Sequence, residues 1–396
     1  MNLLLVAHDF PFGTAETFLE TEIQYASKAF KNVYVISASQ SNELTRRLPH
    51  NVHAVKANRH YHSFRCIAYA LAHVLNISNL LNTIKNAQQT HYSFLKALKK
   101  QFIYFAIEKR LKDKCKEEGL FGSDFIAYSY WLAEGAFFLA RNKRKWKRTV
   151  SRAHSYEVWP STYNPYIDFT VNELDAIYCI SEQTCNLVSD KCKSLSKEKL
   201  NISRLGIESN STRNENIEKN DRYIIVSCSS IYSLKRLDLI IDSLSKVKFP
   251  IEWRHFGGGI DEEKIKEYGR EAFFGRNILW SISGWVSNET VINFYRNNHV
   301  DLFINLSDNE GVPVSIMEAI SFGIPCIARD VGGIREIVNE STGILLSNDT
   351  NEITVANAIE SILQQPISKC KIVEYFESRY SAVTNYECFY NMLLKN

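Results

Sequence analysis

Residues 301–346 read DLFINLSDNEGVPVSIMEAISFGIPCIARDVGGIREIVNESTGILL. The apolar run 302–305 has strand length and leads into a polar loop. A short helix is expected to open near Pro313, whose fixed φ suits a first helical turn, and to stop at Gly323. Glu310 then lies in the loop and Glu318 on the helix, eight positions apart. The N-terminus of such a helix is an anion site, and Gly311 lets a ligand approach the backbone, although Pro313 offers no N–H. A carboxylate beside an anion site suits a ligand that carries both phosphate and hydroxyl groups. The glutamates accept hydrogen bonds from hydroxyls, while amides and a cation hold the phosphates.

Outward from this stretch, short β-type runs alternate with amphipathic segments. Residues 3–7, 33–37, 125–130, 148–153 and 176–180 read as strands in the first half. Residues 223–228, 252–256, 279–283, 302–305 and 325–329 do so in the second. Residues 17–30 place apolar side chains at helical spacing. This alternation predicts an α/β protein with two doubly wound parallel sheets, whose ligands sit at the carboxyl ends of the strands in a cleft between domains. The domain boundary is expected near 203–221, where residues 208–220 are polar and aperiodic.

The chain has 396 residues, of which 45% are hydrophobic and 23% charged. That composition excludes disorder and collagen-like structure and suits two or three domains. The net charge of +3 hides an asymmetry, because residues 1–200 carry 27 basic and 18 acidic side chains. Most of the excess lies in residues 51–116, with 12 Lys or Arg against Glu108 and Asp113. Such a surface favours phosphates, nucleic acid or anionic lipid. Nine cysteines without a CxxC pair suggest neither a disulfide framework nor a zinc site, which favours a reduced cytosol. No signal peptide is read at the N-terminus and no run approaches a membrane span.

Residues 60–118 interrupt the strand rhythm with a helical insertion, in which Leu95, Leu98, Phe102 and Phe105 share a helix face flanked by Lys96, Lys99, Lys100, Lys109, Arg110 and Lys112. Two readings compete for it: a surface helix packed on its own domain, or a helix lying on an anionic membrane.

The run from Glu310 to Ala319, EGVPVSIMEA, together with GIPCIARDVGGIREIV at 323–338, resembles the retaining glycosyltransferases of family 4, which have the GT-B fold. That resemblance implies that Glu310 faces the donor sugar, that Glu318 binds the ribose, and that Gly311 and Val312 line the donor. IIVSCSSIYSLKRLDLII at 224–241 is similar to the family's strand, loop and helix that supply a diphosphate-binding lysine, here Lys235. Where the family often has Gly-Arg, this chain has Ser229 and Ser230, so Arg236 or Ser230 is expected to replace the missing cationic contact. FPFGTAET at 10–17 resembles the family's Pro-x-Gly-Gly-x-Glu loop, with Thr14 in place of the second glycine and Gly13 near the donor phosphate or acceptor. RAHSYEVW at 152–159 makes His154 a candidate to contact the donor sugar or the attacking hydroxyl. YCISEQT at 178–184 and RLGIE at 204–208 also take their expected places. Trp285 and Val286 are candidates for base contact. The three glycines of HFGGGIDEEKIKEY at 255–268 read as a tight βα turn rather than a dinucleotide fingerprint.

The resemblance implies an acceptor domain at 1–205, a nucleotide-sugar domain at 206–374, and a last helix at 375–396 that returns to the first. It implies retaining transfer of a hexose-type sugar from a UDP- or GDP-sugar to a glycan acceptor, lipid-linked, in O-antigen, capsule or exopolysaccharide synthesis. A GT-B nucleotide-sugar epimerase and a non-catalytic GT-B scaffold at the membrane are the alternatives. Neither a metal nor any other cofactor is expected, since a cation and a helix dipole can neutralise the leaving diphosphate. Nucleic acid is not expected as a partner, because no recognisable module is present. The expected location is the cytoplasm, peripheral on the inner face of the cytoplasmic membrane.

Overall fold

The computed structural model describes the chain except for residues 14–15, 39–40, 42, 58–63, 91, 160, 210–220 and 396, and the side chains of 82 and 85–90. Thr14 and most of the aperiodic segment 208–220 therefore lie outside the described residues. The chain divides into two units, Met1–Gly206 with Asn385–Asn396, and Ile207–Thr384.

The first unit is built on a seven-stranded sheet in the order β3-β2-β1-β4-β5-β6-β7. Its strands are β1 (Asn2–Ala7), β2 (Val33–Ser37), β3 (Val52–Lys56), β4 (Gly122–Ser129), β5 (Trp146–Ala153), β6 (Ala176–Cys179) and β7 (Leu200–Ile202). Its helices are α1 (Leu19–Ala29), α2 (Phe64–Val74), α3 (Ile77–Thr90), α4 (Phe94–Glu117), α5 (Glu134–Arg141), α6 (Ile167–Glu173) and α7 (Glu182–Lys191). All of its strand pairs are parallel, and β1 is a continuous apolar run from Leu3 to Ala7 with every residue buried, as cover on both faces requires. The order runs outward from β1 to β3 and resumes at β4, so the direction of winding reverses between β1 and β4.

The second unit repeats the plan with six strands ordered β10-β9-β8-β11-β12-β13. These are β8 (Tyr223–Cys228), β9 (Ile251–Phe256), β10 (Ile278–Ile282), β11 (Leu302–Asn305), β12 (Cys326–Arg329) and β13 (Gly343–Leu346). The helices are α8 (Leu237–Leu244), α9 (Glu262–Ala272), α10 (Asn288–Asn297), α11 (Val314–Ser321), α12 (Glu352–Gln364) and α13 (Lys369–Arg379). Here winding reverses between β8 and β11, which pair through Leu302–Ile225 and Phe303–Val226. Both units are Rossmann-like.

Helix α14 (Ala382–Lys395) closes the chain, and its residues from Asn385 onward belong to the first unit. A buried charge holds it there. The Arg152 guanidinium and the Glu22 carboxylate form an ion pair with both side chains fully buried. Tyr128 and Tyr390 each donate a hydroxyl to Glu22 Oε1, at 3.2 and 3.1 Å, and the Phe389 ring centroid lies 4.4 Å from the guanidinium. The strand that carries Arg152 and the C-terminal helix are thus joined through one carboxylate on α1.

The insertion forms α2, α3 and α4, and it settles the α4 face in favour of packing. Phe105 is buried with Ala70, Val74, Tyr104, Ala106 and Phe137, and Leu98 and Phe102 pack against that cluster. Leu95, placed on the same face by its spacing, is instead 77% exposed, because the cluster stops short of the first turn. Arg110 is no solvated flank either: it is buried and donates to the Ala57 carbonyl at 2.6 Å. β3, β7 and β13 lie at the sheet edges, and residue spacing announces none of them.

Candidate active site

In an open parallel sheet the loops on either side of the reversal point diverge and leave a crevice at the carboxyl ends of the strands. In the second unit these are the loops after β8 and β11. The first passes through a single 3₁₀ turn, Ser233–Lys235, and a left-handed Arg236 (φ +50°) before α8 begins. The second carries Glu310 and enters α11 at Pro313. They are tied together by the Asp308 amide, which donates to the Leu234 carbonyl at 2.8 Å. Arg329 donates to the Leu306 carbonyl at 3.2 Å and to the Asp308 carboxylate.

That tie brings Lys235 Nζ to 2.6 Å from Glu310 Oε1, with the two side chains only 14% and 11% exposed. Asn305 Nδ2 donates to the same oxygen at 3.3 Å. A cation suited to a diphosphate and a carboxylate suited to a sugar hydroxyl therefore occupy one spot. Arg236 is held by Asp238, with Nε 3.2 Å from both oxygens, and by Asp308 at 3.3 Å. Ser229 is buttressed from behind: its amide donates to the Phe256 carbonyl at 3.0 Å, and its carbonyl lies 3.1 Å from His255 Nε2. Ser230 follows it, half-buried, into the loop.

The glycines fix how closely the loops approach. Gly332 has φ +56°, and a Cβ there would sit 1.8 Å from the Glu310 carbonyl oxygen. The neighbouring Gly333 amide donates to the Gly311 carbonyl at 2.7 Å. The segment 310–312, with Val312 buried, thus rests on the turn after β12. Gly257 plays a similar part, since a Cβ on it would lie 1.9 Å from the Ser229 carbonyl oxygen. The glycine triplet is a βα turn that lets two loops cross. Trp285 is largely exposed, with its indole over Gly258, where a Cβ would come within 2.8 Å of Cδ1; Val286 beside it is half-buried.

Glu318 projects from α11 and is buried, and Asn288 Nδ2 at the start of α10 donates to its Oε1 at 2.6 Å. Burial raises its carboxyl to about 7, against the opposing effect of the Asn288 hydrogen bond. Near neutral pH it therefore exchanges between a protonated form that donates and an ionised form that only accepts.

The first unit has its own reversal point, between the loops after β1 and β4, and the sequence reading missed what meets there. Glu16 (φ +59°) is buried and accepts from three successive amides, those of His8 at 3.1 Å and of Asp9 and Phe10 at 2.7 Å each. Trp131 Nε1 also donates to it. His8 Nε2 lies 3.4 Å from the buried Glu134 carboxylate, and Lys100 from α4 reaches the other oxygen at 2.9 Å. Desolvation opposes charge on both groups, more evidently on the buried Glu134 than on the exposed His8, yet their mutual attraction wins. The His8 imidazole is raised, and His8 with Lys100 holds Glu134 down to about 2. Only strand order reveals this group, since His8, Lys100 and Glu134 belong to no local motif.

His154 lies under two rings, with centroids 4.6 Å from Tyr130 and 4.3 Å from Trp131. Burial lowers its pKa, against the raising effect of Glu157, whose Oε1 is 3.6 Å from Nδ1. Its Nε2 has no hydrogen-bond partner among the described residues. Gly13 is buried against Asp9, whose carboxylate a Cβ would strike at 1.6 Å.

Two Rossmann-like units with these loops define the GT-B class. The solved lipopolysaccharide outer core galactosyltransferase WaaB is similar over 100% of this chain and 99% of its own, at TM-score 0.70 and 16% identity. Anabaena HepE in complex with UDP and glucose is similar over 100% of each chain, at TM-score 0.67 and 13% identity. Residues 208–379 match the family model described as glycosyl transferases group 1. The O-antigen biosynthesis glycosyltransferase WbnH of Escherichia coli is 30% identical in an alignment of 245 positions that covers 57% of this chain and 67% of WbnH. The chain belongs to the glycosyl transferases group 1 family and is a glycosyltransferase.

Proposed function

We propose that the protein transfers a hexose, with retention of anomeric configuration as in family 4, from a UDP- or GDP-sugar to a lipid-linked glycan acceptor during O-antigen, capsule or exopolysaccharide synthesis. The observation that carries this reading is the Lys235–Glu310 pair at the reversal point of the second sheet. The donor diphosphate takes Lys235, and Glu310, released from the lysine, accepts hydrogen bonds from the sugar. The bond from C1 to the β-phosphate oxygen breaks and the nucleoside diphosphate leaves with the electron pair. The acceptor oxygen bonds to C1 on the same face, and its proton passes to the leaving phosphate. Lys235 and the amides before α11 stabilise the charge that develops. Glu318 takes the ribose, Trp285 and Val286 the base, and Gly311, Val312 and Ser230 line the donor, with Arg236 as a second cation at the diphosphate. The first unit holds the acceptor, with Gly13 and His154 at the reacting groups.

The names of relatives support the setting: WbnH acts in O-antigen biosynthesis, WaaB is a lipopolysaccharide galactosyltransferase, and HepE was solved with UDP and glucose. A peripheral position on the inner face of the cytoplasmic membrane completes the reading, supported by the basic first half of the chain.

The decisive experiment offers labelled UDP- and GDP-hexoses with lipid-diphosphate-linked glycans and follows product mass and anomeric configuration. One added hexose with the donor's configuration is expected. Inversion, or an altered free nucleotide sugar formed without acceptor, overturns the proposal.

A further inference from the structure

Helix α2 is apolar on two sides. Cys66, Ala70 and Val74, four residues apart, form one stripe and are buried toward α4. Phe64, Leu71 and Leu75 form another that nothing covers among the described residues. Helix α3 continues it with Ile77, Leu81 and Ile84, spaced four and three apart. Phe64, Leu75, Ile77 and Leu81 are 84, 63, 76 and 61% exposed. The corner between the helices is hydrogen-bonded: Asn79 Nδ2 donates to the His73 carbonyl at 2.7 Å, and the Leu80 amide to the Asn76 carbonyl at 3.0 Å. Leu75 and Ile77 therefore protrude from a formed turn. A cluster of this kind on a soluble surface marks a contact.

Charge says which contact. Between Glu43 and Glu108 there is no Asp or Glu at all, while nine Lys or Arg occur. Arg65 is exposed on α2, and Lys96 and Lys99 are exposed on α4 beside the exposed Phe94 and Leu95. Apolar stripes with cations and no anions match an anionic bilayer, where apolar side chains enter the acyl boundary and cations meet lipid phosphates. No described helix is long and apolar enough to cross a membrane. We infer that the α2–α3 pair is the element that enters an anionic lipid surface. This rests on the peripheral-membrane reading above and adds the element and its residues; α4, whose face is packed, serves as its support.

The test uses the full chain and sedimented vesicles of phosphatidylcholine, alone or with about 30% phosphatidylglycerol. Wild type is expected to prefer the anionic vesicles by about tenfold or more. Leu75→Glu with Ile77→Glu and Leu81→Glu abolishes that binding while leaving the UDP-sugar thermal shift unchanged. Arg65→Gln with Lys96→Gln, which keeps the apolar stripes, weakens it several-fold. Binding by the triple variant equal to wild type overturns the inference. So does a wild-type dimer that the variant converts to monomer with no preference for anionic vesicles, since the face then joins two copies. Absence of any nucleotide-sugar shift alongside intact, variant-sensitive vesicle binding counts against the transferase proposal and leaves the lipid face standing.

Discussion

Lys235 and Glu310 lie 75 residues apart in the chain, and their charged atoms are 2.6 Å apart at the reversal point of the second sheet. Each neutralises the other in a largely buried spot, so under the proposed function donor binding would exchange partners rather than fill an unbalanced site. Lys235→Ala is expected to lower kcat/KM by about 10²–10³, the loss that follows if Lys235 is the cation at the leaving diphosphate as proposed. Lys235→Arg recovers part of the loss. Steady-state kinetics over donor concentration check this, and an unchanged kcat/KM in Lys235→Ala rejects the role.

Glu318 makes stability depend on pH. Its carboxyl is raised from 4.5 to about 7 by burial, so between those values the folded state binds more protons than the unfolded chain. The contribution is fully present below about 4.5 and is lost as pH rises through about 7, a change on the order of 3 kcal/mol. Glu318→Gln, which keeps an acceptor for Asn288, is expected to be more stable than wild type at pH 8 and little different at pH 4.5. Urea melts at the two pH values measure the gap.

His8 and Glu134 move in opposite directions. The raised imidazole contributes stability below its unfolded value and loses it as pH rises through the folded one. The lowered carboxyl contributes above about 4.5 and loses its contribution as pH falls toward about 2. Glu134→Gln is expected to shift the His8 titration downward, read by NMR of the ring protons. An unmoved titration shows that the two groups do not interact in solution.

Two glycines that both have positive φ give a controlled comparison. Gly275 has φ +70° and open space around its missing Cβ, whereas Gly332 (φ +56°) faces the Glu310 carbonyl. Gly275→Ala is expected to cost about 1 kcal/mol, the left-handed penalty alone. Gly332→Ala costs about 3 kcal/mol or more and also lowers activity, because the loop bearing Glu310 must shift. Equal costs in thermal melts argue against the close packing of these loops.

The buried Glu22–Arg152 pair supports the C-terminal helix. Arg152→Met leaves Glu22 buried without a counter-charge and is expected to cost about 3–5 kcal/mol. The double change Glu22→Gln with Arg152→Met recovers much of this, as a double-mutant cycle in denaturant will show.

The sequence made some of this legible. The βα alternation predicts both sheets, and Pro313 and Gly323 bracket α11 to within a residue or two. The glycines of 332–333 are visible in the motif, and the structure supplies their reason, the approach of the Glu310 carbonyl. The α4 face was only half legible: spacing groups Leu95 with Phe105, yet the partners that bury Phe105 come from α2 and α5 and do not reach Leu95. Arg152 stood in a quoted motif beside His154 without any sign that it is the central buried charge of the unit.

What the sequence by itself determined is therefore local: the periods of strands and helices, the turn chemistry, the spacing of Glu310 and Glu318, and the missing acids between residues 43 and 108. These follow from interactions within a few residues, which composition and spacing encode directly. Only the tertiary structure decided that Lys235 meets Glu310, that Lys100 and His8 share Glu134, that Tyr390 reaches Glu22, and which apolar stripe of α2 is left uncovered. The reason is strand order, which brings distant loops to one reversal point and sets the neighbours of each helix face, and no local spacing specifies it.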